Sequence, residues 1–251
     1  MTAKNRQWTT KQDGLDNLEL GETAIPEPKD GEVLVKIKAV SLNYRDTEVC
    51  QGEYTHHSSL DNGQPLVPCS DMAGEIVASK SPRWQKTGAR VLSIFNQTHL
   101  TGQIKESDLT SGLGSPLPGV LAQYRVFPDY ALVPIPEYLK ELSADTGINY
   151  RTHWEWHEFV LEATAGRGDD DEGDGGLNRL NVNVLALRRN VTLKGILNGP
   201  RDRFEEMLGF YEKKGIRPVV DKVFKFEEAK EAFKYLAEGA HFGKVVIKVA
   251  D

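Results

Sequence analysis

About a dozen residues lie between Pro136 and the short run Ile148-Asn149-Tyr150-Arg151. Upstream of that gap the chain reads as β, and the run itself reads as the end of another strand. A βαβ unit takes roughly 30 residues or more, because two parallel strands must be joined by a crossover. A strand, a glycine-rich turn and a crossover helix therefore cannot be placed in the gap. Whatever sheet the later segments join, its usual opening unit has no room here.

The two flanks have different patterns. In the first 136 residues Val33, Val35, Ile37 and Ala39 alternate with Leu34, Lys36, Lys38 and Val40, a period-2 strand with one mostly apolar face. Gly74–Ala78, Arg90–Phe95 and Gln123–Phe127 are further short strands, punctuated by Gly31, Pro65, Pro68, Gly88, Pro116 and Pro118. Such spacing predicts a barrel-like or sandwich domain. Toward the C-terminus the period changes. Val191–Ile196 reads as a strand, and Pro200 opens a helix to about Lys214 with Phe204, Met207, Leu208 and Tyr211 on one face, closed by Gly215. Val219–Phe224 is a strand. A second helix carries Ala229, Ala232, Phe233 and Leu236, stops at Gly239, and leads to the strand Lys244–Val249. Between the flanks, Trp154–Ala163 can form a helix. Five acids fall in the six positions Asp169–Asp174, amid several glycines, so residues 166–178 are expected to be a mobile, solvated loop.

A net charge of -6 argues against nucleic acid or an anionic membrane as partner. No apolar run approaches the roughly 18 residues of a membrane-spanning helix, and Met1–Trp8 lacks an apolar signal core. With two cysteines, Cys50 and Cys69, a disulfide framework is not expected, and a cytoplasmic location is.

The order of segments carries more than any one of them. Gly31–Asn43-Tyr44-Arg45-Asp46 is followed by Gly52-Glu53-Tyr54, Val67–Gly74-Glu75-Ile76-Val77, Gly88-Ala89-Arg90-Val91, Ala122-Gln123-Tyr124 and Ala131–Pro134. Ile148–Arg151, Asn190–Gly195 and Gly243–Ile247 continue the series. The chain resembles the medium-chain dehydrogenase/reductase superfamily, in its zinc-independent, quinone-oxidoreductase-like (alcohol dehydrogenase-like) branch, with most of the nucleotide-binding domain missing. The resemblance implies an α+β / α/β protein. Residues 1–143 would be a chaperonin-10-like (GroES-like) β-rich catalytic domain, 144–196 a truncated Rossmann remnant, and 197–251 a helix–strand segment packing back on the catalytic domain.

It also implies chemistry: an NADP(H)-type oxidoreductase acting on a small carbonyl or enone, in which the cofactor supplies the redox step and the protein supplies orientation. Zinc-dependent relatives place a cysteine where this chain has Asn43, and a His-Glu pair where it has Ser70 and Asp71. A catalytic zinc takes three protein ligands, and these side chains offer no thiolate or imidazole, so no zinc is expected. In the zinc-free branch the positions of Asn43, Asp46 and Tyr54 line the cleft beside the nicotinamide. As residue types alone, Asp46 equally suits a helix cap and Tyr54 barrel packing. Tyr150 and Lys244 match positions near the cofactor phosphates, and Lys244 equally suits an exposed strand end.

The family holds the pyrophosphate on a glycine-rich turn at a helix N-terminus. Two glycine pairs could imitate it. Gly112-Leu113-Gly114 precedes Pro116 and Pro118, which forbid a helix at that point, and Gly166-Arg167-Gly168 precedes a run of acids that would repel phosphate. Both read as loops, so cofactor binding is expected to be impaired. His153 and His157 sit at i and i+4 with Glu158 beside them, a pair that reads as a surface helix more readily than as a metal site. His56-His57 reads as an exposed turn, and Cys50 and Cys69 as small buried hydrophobes. Val191–Ile196 matches a strand that pairs subunits in relatives, so a homodimer is possible. Two other functions fit a reused cleft: a cofactor-free isomerase, dehydratase or cyclase, and a non-catalytic interaction protein.

Overall fold

The structure, a computed structural model, describes residues 4–54, 65–137 and 198–250. All of them belong to one compact unit, 1–147 with 198–251. Tyr150, the 144–196 remnant, the acidic loop, the 154–163 helix, the 191–196 strand and the histidines at 56, 57, 153 and 157 lie outside the described residues.

In chain order the elements are β1 (Lys4–Thr9), β2 (Glu19–Ala24), β3 (Glu32–Leu42), α1 (Tyr44–Gln51), β4 (Asp71–Ser79), β5 (Arg90–Ser93), α2 (Glu106–Leu109), β6 (Tyr124–Pro128), β7 (Leu132–Pro134), α3 (Arg201–Lys214), β8 (Val220–Lys225), α4 (Ala229–Ala237) and β9 (Lys244–Lys248). β1 and β2 form a two-stranded ribbon. The other strands form one seven-stranded sheet in the order β7-β5-β4-β3-β9-β8, with β6 also paired to β3.

β3 organises this sheet. One side pairs with β4 over most of its length. On the other side its first half, Glu32–Lys36, pairs with β6 and its second half, Ala39–Leu42, with β9. Val33, Val35 and Ile37 are fully buried, as the alternation predicts. Beyond them the expected face is wrong: Val40 and Leu42 are buried and Ala39 is only half-buried. The pairing with β4 slips between Ile37 and Ala39, and a one-residue bulge turns every later side chain to the opposite face.

The C-terminal segment is part of this core. α4 crosses from β8 to the parallel β9, burying Ala229, Ala232, Phe233 and Leu236, and the chain turns away near Gly239 at φ 66°. The Trp8 indole N–H donates to the Phe226 carbonyl at 2.8 Å, tying β1 to the same segment. α3 ends at Gly215, φ 64°. It buries less than its pattern suggests: Leu208 packs with Ile94, Ala131 and Val133, Phe204 is half-buried, and Met207 is exposed.

One glycine is fixed by close approach. A Cβ on Gly119 would stand 2.1 Å from the Cys69 carbonyl oxygen and 2.3 Å from that of Pro68. Both obstacles are backbone, and the 119–121 segment hydrogen-bonds to 67–69. Gly119→Ala is expected to cost about 3 kcal/mol or more, read as a lower urea midpoint; an unchanged midpoint would show that the two segments can separate freely.

Candidate functional site

Asn43 ends β3's run and starts α1. Its backbone is extended (φ -125°), and its N–H donates to Asp46 Oδ2, three residues on, at 2.9 Å. Asp46 therefore serves as a cap at the N-terminus of α1, where a carboxylate also complements the helix dipole. It is an unusually buried cap, 1% exposed. Its Oδ1 has no hydrogen-bond donor, and the Arg45 Nη1 stands 3.9 Å away. Burial pushes the Asp46 carboxyl up to about 7. Asp71 adds to the rise, while the Asn43 N–H, Arg45 and Lys244 oppose it.

The Asn43 side chain faces β4. Its Nδ2 donates to Asp71 Oδ2 at 2.9 Å, Ser70 Oγ donates to Asp71 Oδ1 at 2.8 Å, and Ser93 Oγ donates to the Ser70 carbonyl at 3.0 Å. Opposite, Lys244 Nζ donates to Asn43 Oδ1 at 2.5 Å. The fold thus brings together Asn43 just after β3, Ser70 and Asp71 at the start of β4, and Lys244 at the start of β9. Just before Ser70, Cys69 holds φ 72°, a conformation costly for a side chain larger than glycine.

Asp71 opens onto a cleft of about 410 Å³, lined also by Ser93, Phe95, Asn198, Arg203 and Met207. The walls are mainly apolar with a few polar groups, the usual composition of a small-molecule site. Asn43 reaches this wall only through its hydrogen bond to Asp71, and the buried Asp46 does not line it. Tyr54 lies beside Arg45, whose guanidinium carbon sits 4.4 Å from the Tyr54 ring centroid and 4.8 Å from that of Phe95. Arg45 also donates to the carbonyls of Leu113 (3.2 Å) and Ser115 (2.6 Å). Sequence reasoning passed over Arg45. The one available signal was its position between Asn43 and Asp46, where a buried face requires partners for a charge.

Cys50 and Cys69 are fully buried, and burial pushes both thiols above the usual range, with the Asp46 charge adding to it. Both effects disfavour the thiolate form that a nucleophile needs. Among the described residues no group of three or more His, Cys, Asp or Glu side chains stands close enough to hold a metal ion. Nor does the Gly112–Gly114 turn serve as a phosphate cradle. Gly112 to Ser115 are buried, and a Cβ on Gly114, at φ 71°, would meet the Cys69 carbonyl oxygen at 2.8 Å. That glycine lets two backbones touch and offers no exposed N–H to an anion.

The alcohol dehydrogenase GroES-like domain family matches residues 29–137, and the zinc-binding dehydrogenase family matches 143–247. A zinc-type alcohol dehydrogenase-like protein of Schizosaccharomyces pombe is 28% identical over 338 aligned positions, covering 94% of this chain and 96% of its own. Those positions outnumber the 251 residues here, so the relative contains long stretches without a counterpart. A chloroplastic quinone-oxidoreductase homolog of Spinacia oleracea is 33% identical over 135 residues, 53% of this chain and 34% of that one. Among solved structures, a Sinorhizobium meliloti protein described as an alcohol dehydrogenase superposes with a TM-score of 0.77 at 25% identity, covering 99% of this chain and all of that one. A thermostable alcohol dehydrogenase of Pyrobaculum aerophilum has the same fold (TM-score 0.72, 18% identity, 98% and 100% covered). With family matches over both parts of the chain and a sheet that superposes on these enzymes, the protein belongs to the medium-chain dehydrogenase/reductase superfamily, among its alcohol dehydrogenase-like and quinone oxidoreductase-like members.

Proposed function

We propose that this chain is a shortened, zinc-independent, NADP(H)-type oxidoreductase for a small carbonyl or enone, with its cofactor affinity impaired. The observation that carries this reading is the meeting of Asn43, Ser70 and Asp71 at the edge of an apolar cleft. The positions that hold metal in zinc-type relatives come together here as an amide, a hydroxyl and a carboxylate. These groups can hydrogen-bond but lack the nitrogen and sulfur donors that select zinc.

In this reading Asn43 and Tyr54 belong to the nicotinamide side of the site, Asp46 supports it as the buried cap of α1, and Tyr150 touches the cofactor. The domain boundaries are 1–143, 144–196 and 197–251, and the protein works in the cytoplasm as a homodimer. Among the described residues no helix is long and apolar enough to cross a membrane. When bound, the cofactor would supply the hydride; this chain's residues would orient the substrate and exclude water from the cleft.

Two measurements test the reading. Metal analysis of purified protein is expected to find less than about 0.1 zinc per chain; one tightly held zinc per chain would overturn zinc independence. Incubation with NADPH and a panel of small enones and quinones is expected to show slow oxidation of the cofactor, saturating only at high NADPH. Turnover of the same compounds without any cofactor would replace the reductase reading with an isomerase or dehydratase.

A further inference from the structure

We infer that Lys244 is a positioning residue of the cleft: its ammonium fixes the Asn43 amide, and through it the Asp71 carboxylate, rather than holding cofactor phosphate. The inference rests on the reading of the cleft as the reaction site.

Strand register brings the residue there. Leu42 pairs with Val245 across the antiparallel β3–β9 ladder, so the residue before Val245 falls beside the residue after Leu42. The turn into β9 is held by Gly243 at φ 101°, where a Cβ would stand 2.6 Å from the Val219 carbonyl oxygen. The backbone of Lys244 is therefore placed on both sides, and its exposed side chain starts beside Asn43.

Donor and acceptor counting then decides the amide's orientation. An ammonium carries only donors and a carboxylate only acceptors, so the amide between them has one satisfying arrangement. Oδ1 must face Lys244 (2.5 Å) and Nδ2 must face Asp71 (2.9 Å). Reversing the amide would set N–H against N–H on one side and oxygen against oxygen on the other. Asp71 also receives Ser70 Oγ at 2.8 Å, so donors hold both of its oxygens as it faces the cleft. The result is a line of charge-assisted hydrogen bonds from a cation on β9 to an anion on the cleft wall. Lys244 thus engages one of the two lone pairs of Asn43 Oδ1.

The test compares wild type with Lys244→Met and Lys244→Arg in two assays that need no turnover. Solvent exchange of the Asn43 side-chain amide protons is followed by NMR at fixed pH, and pyrophosphate binding is measured by calorimetry. Lys244→Met is expected to speed the exchange at least about tenfold and Lys244→Arg to stay near wild type. Pyrophosphate affinity should be unchanged in both, and an absence of binding in wild type also counts as unchanged. Exchange unaffected by Lys244→Met would overturn the proposal. So would a tenfold loss of pyrophosphate affinity in that variant, which would assign Lys244 to the phosphates. Failure of the oxidoreductase reading would appear instead as no NADPH-dependent turnover, leaving both assays interpretable.

Discussion

Asp46→Asn is expected to stabilise the folded chain at pH 8, by up to about 4 kcal/mol, and to leave it nearly unchanged at pH 4. In the folded state burial raises the Asp46 carboxyl from its usual 3.8 to about 7, and a difference of one unit corresponds to about 1.4 kcal/mol. The sign follows from proton binding: where the folded state holds the proton more tightly than the unfolded state, stability falls as pH rises. The Asp46 contribution is intact below about pH 4, declines between 4 and 7, and is fully adverse above 7. Asparagine keeps an oxygen for the Asn43 N–H and places no charge in the core. Carboxylates such as Asp108, Asp202 and Asp221 are shifted downward and slope the other way. The quantity to measure is therefore the difference between variant and wild type in urea unfolding at pH 4, 6 and 8. A variant less stable than wild type at pH 8 would show that Asp46 is held ionised by attraction to Arg45 and Lys244.

The second large effect concerns the cofactor. NADPH is expected to bind at least about 100-fold more weakly than to a full-length relative. A phosphate loop supplies several backbone N–H donors and a helix dipole, each worth on the order of 1 kcal/mol toward an anion, and 1.4 kcal/mol is tenfold in affinity. Among the described residues the Gly112–Gly114 turn is packed against Cys69 and cannot serve as one. Fluorescence or calorimetric titration measures this directly. A dissociation constant in the low micromolar range would mean that other residues cradle the phosphates and would restore an unimpaired reductase.

Much of the sheet was legible because burial writes a period into the sequence. α4 shows this most clearly: Ala229, Ala232, Phe233 and Leu236 follow helical spacing, and all four are buried. β2 shows the opposite. Its six residues are all exposed, so no alternation marked it, and the β1–β2 ribbon went unread. β3 was read correctly to Ile37 and inverted beyond it, since a bulge depends on what the partner strand does. The site divides in the same way. The chemical character of Asn43, Ser70 and Asp71 was plain from residue types and family resemblance. That Asp46 is so deeply buried, that Arg45 lies against Tyr54 and Phe95, and that Lys244 reaches Asn43 across some two hundred residues depend on strand register and packing.

The placement of β9 also bears on how the chain is made. Ala39–Leu42 of β3 has β9 as its neighbour on one side, and β9 is synthesised some two hundred residues after β3. A ribosome therefore releases the central strand long before its last partner exists. In that interval half of one backbone edge can pair with a neighbouring nascent chain or be held by a chaperone. Translation pauses or premature stops between residues 220 and 244 should yield insoluble product even though most of the sheet has already emerged.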